Sequence, residues 1–179
     1  MKKEKIISNE EIDLKKVEKA RKIILELQSK MQKYIQKGCG PFVASIYDEQ
    51  GNKISECANS VLKENCSNNH AEINTIKEAQ KKLKNHDLSK YNLSIYITAE
   101  PCMMCIGAIM WSGIKNVYFG LTSDWVEKIT GFDEGFKPKW FEEFKKRGIT
   151  VYGNIEPEIA KIELKKYVEE GNKVYKPER

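Results

Sequence analysis

At 179 residues, with 32% charged and 40% hydrophobic positions, the chain reads as an ordinary soluble protein of one domain spanning 1–179, large enough for a core without disulfide staples. No apolar run reaches the length of a bilayer span, and the basic start Met1-Lys2-Lys3-Glu4-Lys5-Ile6-Ile7 lacks the hydrophobic stretch of a signal peptide, so no membrane role is expected. Five cysteines, an odd number, argue for a reducing cytoplasmic setting, and the +5 charge comes from 28 lysines interleaved with glutamates against three arginines, a solvated surface more than a nucleic-acid stripe.

Residues 1–9 read as a frayed start. Val17, Ala20, Ile24, Leu27, Met31, Tyr34 and Ile35 then recur at helical spacing, predicting one long amphipathic helix over 9–37, ended by Gly38 and Gly40. Segments 42–48 and 53–59 form a hairpin around Glu49-Gln50-Gly51-Asn52. A loop over 60–69 leads to a helix from His70 to about Lys84. A strand at 93–98, a helix from Cys102 to about 113 and a strand at 116–120 follow. The remainder reads as a long loop over 121–135, a helix at 137–147, a strand at 149–152 and a last helix at 157–170. This order predicts a five-stranded mixed sheet with helices on both faces, its last two strands parallel.

Two short pieces carry the chemistry: His70-Ala71-Glu72 and Pro101-Cys102-Met103-Met104-Cys105. One imidazole and two thiolates, from His70, Cys102 and Cys105, fill three positions of a tetrahedral zinc ion. The fourth is left to a water that the ion acidifies. Glu72, close but not a ligand, suits a proton shuttle. Cys102 and Cys105, three apart, share a helix face; Pro101 suits the first helical position, and a helix N-terminus favours thiolate. His70 and Glu72, two apart, converge only at a helix start, with Asn68 or Asn69 as cap and Ile73, Ile76, Ala79 and Leu83 as the apolar stripe. C-x-x-C also serves redox pairs, which need no H-x-E, and closed structural zinc sites, which want a fourth ligand. Cys66 is near enough to His70 in sequence to supply one. His86 reads as a loop residue, and Cys39 and Cys57 as incidental thiols.

With both motifs placed, the chain from about Val17 onward resembles the cytidine deaminase-like superfamily, whose zinc-dependent nucleobase deaminases carry H-x-E and P-C-x-x-C. The resemblance implies a three-layer α/β/α sandwich, zinc at the N-termini of two central helices, and a hydrolase that releases ammonia from a nucleobase. The helix at 137–147 points to the branch holding guanine, cytosine and tRNA wobble-adenosine deaminases. Gly107-Ala108-Ile109-Met110-Trp111 and Gly131-Phe132-Asp133-Glu134 are similar to segments of bacterial guanine deaminases, and Gly40-Pro41-Phe42 to the branch as a whole.

Carried over, the resemblance places Asn59 and Asp133 on the base with Ala71 beside it. It makes Phe42 and Trp111 the pocket walls, Tyr175 a closing aromatic, guanine the substrate and a homodimer the assembly. Each position also has a plainer reading: core packing for Trp111 and Phe132, a solvated loop for Asp133, a strand end for Asn59. Lys137-Pro138-Lys139-Trp140-Phe141 departs from the guanine deaminases, and the tail beyond it looks more like a cytosine or tRNA-type deaminase. A tRNA partner, and a zinc-stabilised binding module without catalysis, stand as alternatives.

Overall fold

The computed structural model describes residues 5–136 and 138–176. Helix α1 (Leu14–Ser29) starts where Asp13 accepts hydrogen bonds from the backbone N–H groups of Lys15 and Lys16, and it buries Val17, Ala20, Ile24 and Leu27. The expected long helix is interrupted at Lys30, after which α2 (Met31–Ile35) follows. Lys30 reaches Glu26 at 2.6 Å and Glu56 of the neighbouring strand at 2.8 Å, and Tyr34 donates to the same Glu56 at 3.1 Å. A tertiary ionic contact therefore sits at the break, which helical periodicity has no means of revealing.

Strands β2 (Val43–Tyr47) and β3 (Lys53–Ala58) form the expected antiparallel hairpin. A helical turn, α3 (Val61–Glu64), interrupts the segment expected to be loop, and α4 (Ala71–Leu83) follows. Then come β4 (Ser94–Ala99), α5 (Met103–Ser112), β5 (Asn116–Leu121), α6 (Ser123–Thr130), α7 (Trp140–Lys146), β6 (Thr150–Gly153) and α8 (Pro157–Glu169). Helix α6 occupies most of the expected 121–135 loop. Its Trp125 lies between Lys128 and Lys161, whose Nζ atoms are 4.6 and 4.0 Å from the ring centroid, so α8 helps to fix it. The expected start of α7 at Lys137 lies outside the described residues.

The sheet has six strands, not five, in the order β1-β6-β5-β4-β2-β3. The extra one, β1 (Ile7–Ser8), pairs antiparallel with β6 inside the segment read as frayed, of which residues 1–4 lie outside the description. Two residues are too few to show a period. Asn9 anchors them instead, its Oδ1 accepting from Val151 N–H and its Nδ2 donating to the carbonyls of Phe141 and Ile149. β4, β5 and β6 run parallel, as expected of the last two.

Alternation along the strands builds the three layers. Ala44, Ile46, Ile95, Ile97, Val117, Phe119 and Val151 face α4, α5 and α7. Val43, Tyr47, Tyr96, Tyr118, Leu121 and Tyr152 face α1, α6 and α8. Each such isoleucine or valine contributes about 1.5–3 kcal/mol on full burial, so the two cores hold both helix layers on the sheet. Among the described residues, no helix is long and apolar enough to cross a membrane.

Candidate metal centre and base pocket

The strand ends deliver the chemistry to one place. β3 leads through α3 to α4 and β4 runs into α5, and the N-termini of α4 and α5 bring His70 and Cys102 together. His70 is itself the N-cap of α4, extended at φ −67 and ψ 156, and Cys102 is the N-cap of α5 at φ −69 and ψ 171. Pro101 therefore stands one residue before the cap instead of at the first helical position. Neither Asn68 nor Asn69 caps α4; the side chain of Asn69 donates to Glu64 at 2.7 Å. Both capping side chains turn away from their own helices to meet each other, and neither makes a capping hydrogen bond.

His70 Nδ1 lies 3.5 Å from Cys102 Sγ and 3.6 Å from Cys105 Sγ, and the two sulfurs are 3.6 Å apart. A tetrahedral zinc with Zn–S of about 2.3 Å and Zn–N of about 2.05 Å requires edges of about 3.8 Å between sulfurs and about 3.55 Å from nitrogen to sulfur. The donor triangle matches these lengths, and an imidazole with two thiols is a set that zinc favours. Among the described residues these three form the cluster able to hold a metal, and Cys66 is not in it. The exposed N–H groups of both first helical turns add positive potential where thiolates gather.

The surroundings tune each group. Hydrogen bonding from Cys105, against the cost of burial, holds the Cys102 thiol far down at about 4, with His70 adding to the effect. The same pairing pushes Cys105 well up. Burial works against the charged ring of His70, but the bond to Cys102 and the negative charges of Glu72, Cys102 and Glu134 outweigh it and raise its pKa. Glu72, only 6% exposed, is pushed up to about 7 by burial and then by the charge of Cys102.

A pocket opens beside the donors. Phe42 and Asn59 line it, together with Glu72 and Cys102. Ala71 does not: it is fully buried at the first position of α4 and packs into the core beneath. Trp111, in the last turn of α5, is 84% exposed and stands outside the pocket. Asp133 is also exposed, its Oδ1 accepting from Gly135 N–H at 2.7 Å, while Glu134 lines the pocket in its place. The tail contributes to the wall. Tyr167 donates its hydroxyl to the Lys173 carbonyl at 2.9 Å, Asn172 returns two hydrogen bonds to the Tyr167 carbonyl, and Lys173, Val174 and Tyr175 line the pocket.

The family model for the cytidine and deoxycytidylate deaminase zinc-binding region matches residues 15–121, a stretch that contains all three donors. The chain belongs to this family. The guanine deaminase of Bacillus subtilis is 38% identical over 98 residues, 54% of this chain and 60% of that protein. The tRNA-specific adenosine deaminase of Haemophilus influenzae is 36% identical over 103 residues, 58% of this chain and 57% of that protein. The chain thus spans little more than half the length of these curated relatives. Among solved structures, the guanine deaminase from Nitrosomonas europaea superposes with a TM-score of 0.77 at 36% identity, covering 80% of this chain and 81% of that one. NE0047 in complex with 2,6-diaminopurine does so with 0.81 at 33%, covering 88% and 85%.

In a zinc-binding deaminase frame, two acidic residues escaped sequence reasoning. Glu134 was within reach of it. Asp-x-Gly favours a turn in which the aspartate bonds its own backbone, which occupies Asp133 and leaves its neighbour to line the pocket. Glu100 gave no signal. Its carboxylate accepts from Ser123 N–H and Oγ at 2.9 and 3.0 Å and from the Trp140 indole at 3.2 Å, joining the starts of α6 and α7 at the pocket wall, which Glu100 helps to line.

Proposed function

We propose that this protein is a zinc-dependent hydrolytic deaminase of a free nucleobase, with guanine, converted to xanthine and ammonia, as the substrate that fits best. The observation that carries this reading is the pocket beside the metal donors: residues 173–175 of the same chain line it together with His70, Glu72 and Cys102, so the tail narrows the space in which a substrate is held. The match to guanine deaminases over four-fifths of the chain supports it.

A zinc ion held by His70 Nδ1, Cys102 Sγ and Cys105 Sγ would supply a water acidified toward neutrality. Glu72, with a pKa near 7, is placed in energy to accept a proton and return it. It would deliver that proton first to the ring nitrogen beside the amino-bearing carbon and then to the departing amine, so that a C–O bond forms, the C–N bond breaks and ammonia leaves. Asn59 accepts from Val61 N–H at 3.2 Å through Oδ1, so its Nδ2 hydrogens remain as the donors for the base. Glu134 offers an acceptor across the pocket. Guanine combines ring acceptors with N–H donors on its other edge, which this pair complements. Phe42 supplies an aromatic wall.

A second reading, deamination of an adenosine in tRNA, is favoured by the similarity to tRNA-specific adenosine deaminases. The two separate in one assay series. Zinc-loaded protein is given guanine, with ammonia and xanthine followed by absorbance, and is run against tRNA in gel shifts at two salt concentrations. Xanthine formation without a salt-sensitive shift is expected. A zinc-replete protein that leaves guanine untouched but retards and deaminates tRNA overturns the first reading.

A further inference from the structure

We propose that Gly40 is a positioning residue that sets base specificity: the missing side chain there is what allows the Asn59 carboxamide to face the base. The inference rests on the base contact assigned to Asn59 above. Gly40 does not have a positive φ, so no backbone conformation requires glycine at this place. Space requires it. A Cβ at residue 40 would lie 2.9 Å from Asn59 Oδ1, closer than such contacts occur, and a tight 3.1 Å from Cγ and 3.3 Å from Cβ.

The two backbones are not free to yield. Gly40 N–H donates to the Asn59 carbonyl at 2.8 Å and Asn59 N–H to the Phe42 carbonyl at 2.9 Å, which carries the β2–β3 pairing past its last register pair, Val43 with Ala58. The backbones are therefore locked face to face. The carboxamide is tied as well, through Oδ1 to Val61 N–H at 3.2 Å. A methyl group at position 40 is accommodated most cheaply by rotating the Asn59 side chain, which breaks the Val61 bond and withdraws the Nδ2 donors from the pocket. Gly40 and Asn59 line the same pocket, so the loss falls on substrate binding.

The test is a cycle of Gly40→Ala, Asn59→Ala and the double variant, each measured for zinc content, melting temperature and steady-state kinetics on guanine, with a crystal structure of Gly40→Ala. Gly40→Ala is expected to keep its zinc and to raise KM about tenfold with a smaller change in kcat. Its crystal structure should show the Asn59–Val61 hydrogen bond broken. Asn59→Ala should be similarly impaired, and the double variant no worse than Asn59→Ala alone, because the group that the methyl strikes is gone. Should Gly40→Ala fold poorly, the double variant should restore its melting temperature. A Gly40→Ala structure with the carboxamide undisturbed, additive losses in the double variant, or absence of that rescue each overturn the proposal. An Asn59→Ala protein with unchanged kinetics instead removes the base contact itself, and the proposal with it.

Discussion

Glu72 and Cys102 sit at adjoining helix starts, and their removal should fail in different ways. Glu72→Ala leaves all three donors intact, so the protein should retain zinc by elemental analysis while kcat falls by about 10²-fold or more. Cys102→Ala removes one of three ligands and should lose the metal itself. Full turnover in Glu72→Ala would remove the proton-shuttle role. The acidic loop offers a second comparison between neighbours. Glu134 lines the pocket whereas Asp133 is turned to Gly135 N–H. Glu134→Ala should raise KM for guanine about tenfold, and Asp133→Ala should stay within about twofold of the parent. The reverse order would return the base contact to Asp133.

At the scale of elements, one carboxylate ties the break between α1 and α2 to the sheet. Glu56 of β3 is half-buried, and although burial opposes its charge, hydrogen bonds from Lys30 and Lys53 hold its pKa below the usual 4.5. A depressed carboxylate stabilises the fold fully above its unfolded value, and that contribution is lost as pH falls through the folded one. Glu56→Gln should therefore cost about 1–3 kcal/mol at neutral pH in urea melts, and the difference from the parent should shrink below pH 4.5. An unchanged difference at pH 3 would mean that packing, not charge, holds the break. The helix over 9–37 was legible as helix but not as two pieces because the apolar period continues through Met31 and Tyr34, while the partner met at the interruption, Glu56, comes from a strand.

For the whole molecule, the metal site joins two strand–helix units that are 32 residues apart in sequence, the span from His70 to Cys102. An ion bound by the folded donors and not by the unfolded chain adds stability through its occupancy. With zinc at about a hundred times its dissociation constant, stripping it with a chelator should lower Tm by about 5–10 °C, and restoring zinc should recover it. A Tm that does not respond to verified removal of the metal would show that the donor triangle is held entirely by the two cores.

The sequence alone determined the layered α/β architecture, the order of the main elements and the identity of the donors. Strand and helix periods, and each of the two motifs H-x-E and P-C-x-x-C, are local properties carried by residues close together in the chain. What only the tertiary structure decided depends on contacts across the chain. The sixth strand is anchored by Asn9, which reaches β6 and α7, and His70 stands at the N-cap of α4 with its ring turned to the thiols of Cys102 and Cys105. In the pocket, Asn59 and Phe42 stand at the wall, whereas Trp111 points to solvent, Ala71 is sealed in the core and Glu134 replaces Asp133. A motif names the atoms that can do chemistry; which neighbours face them is set by register and side-chain direction, and these are resolved only when the layers close.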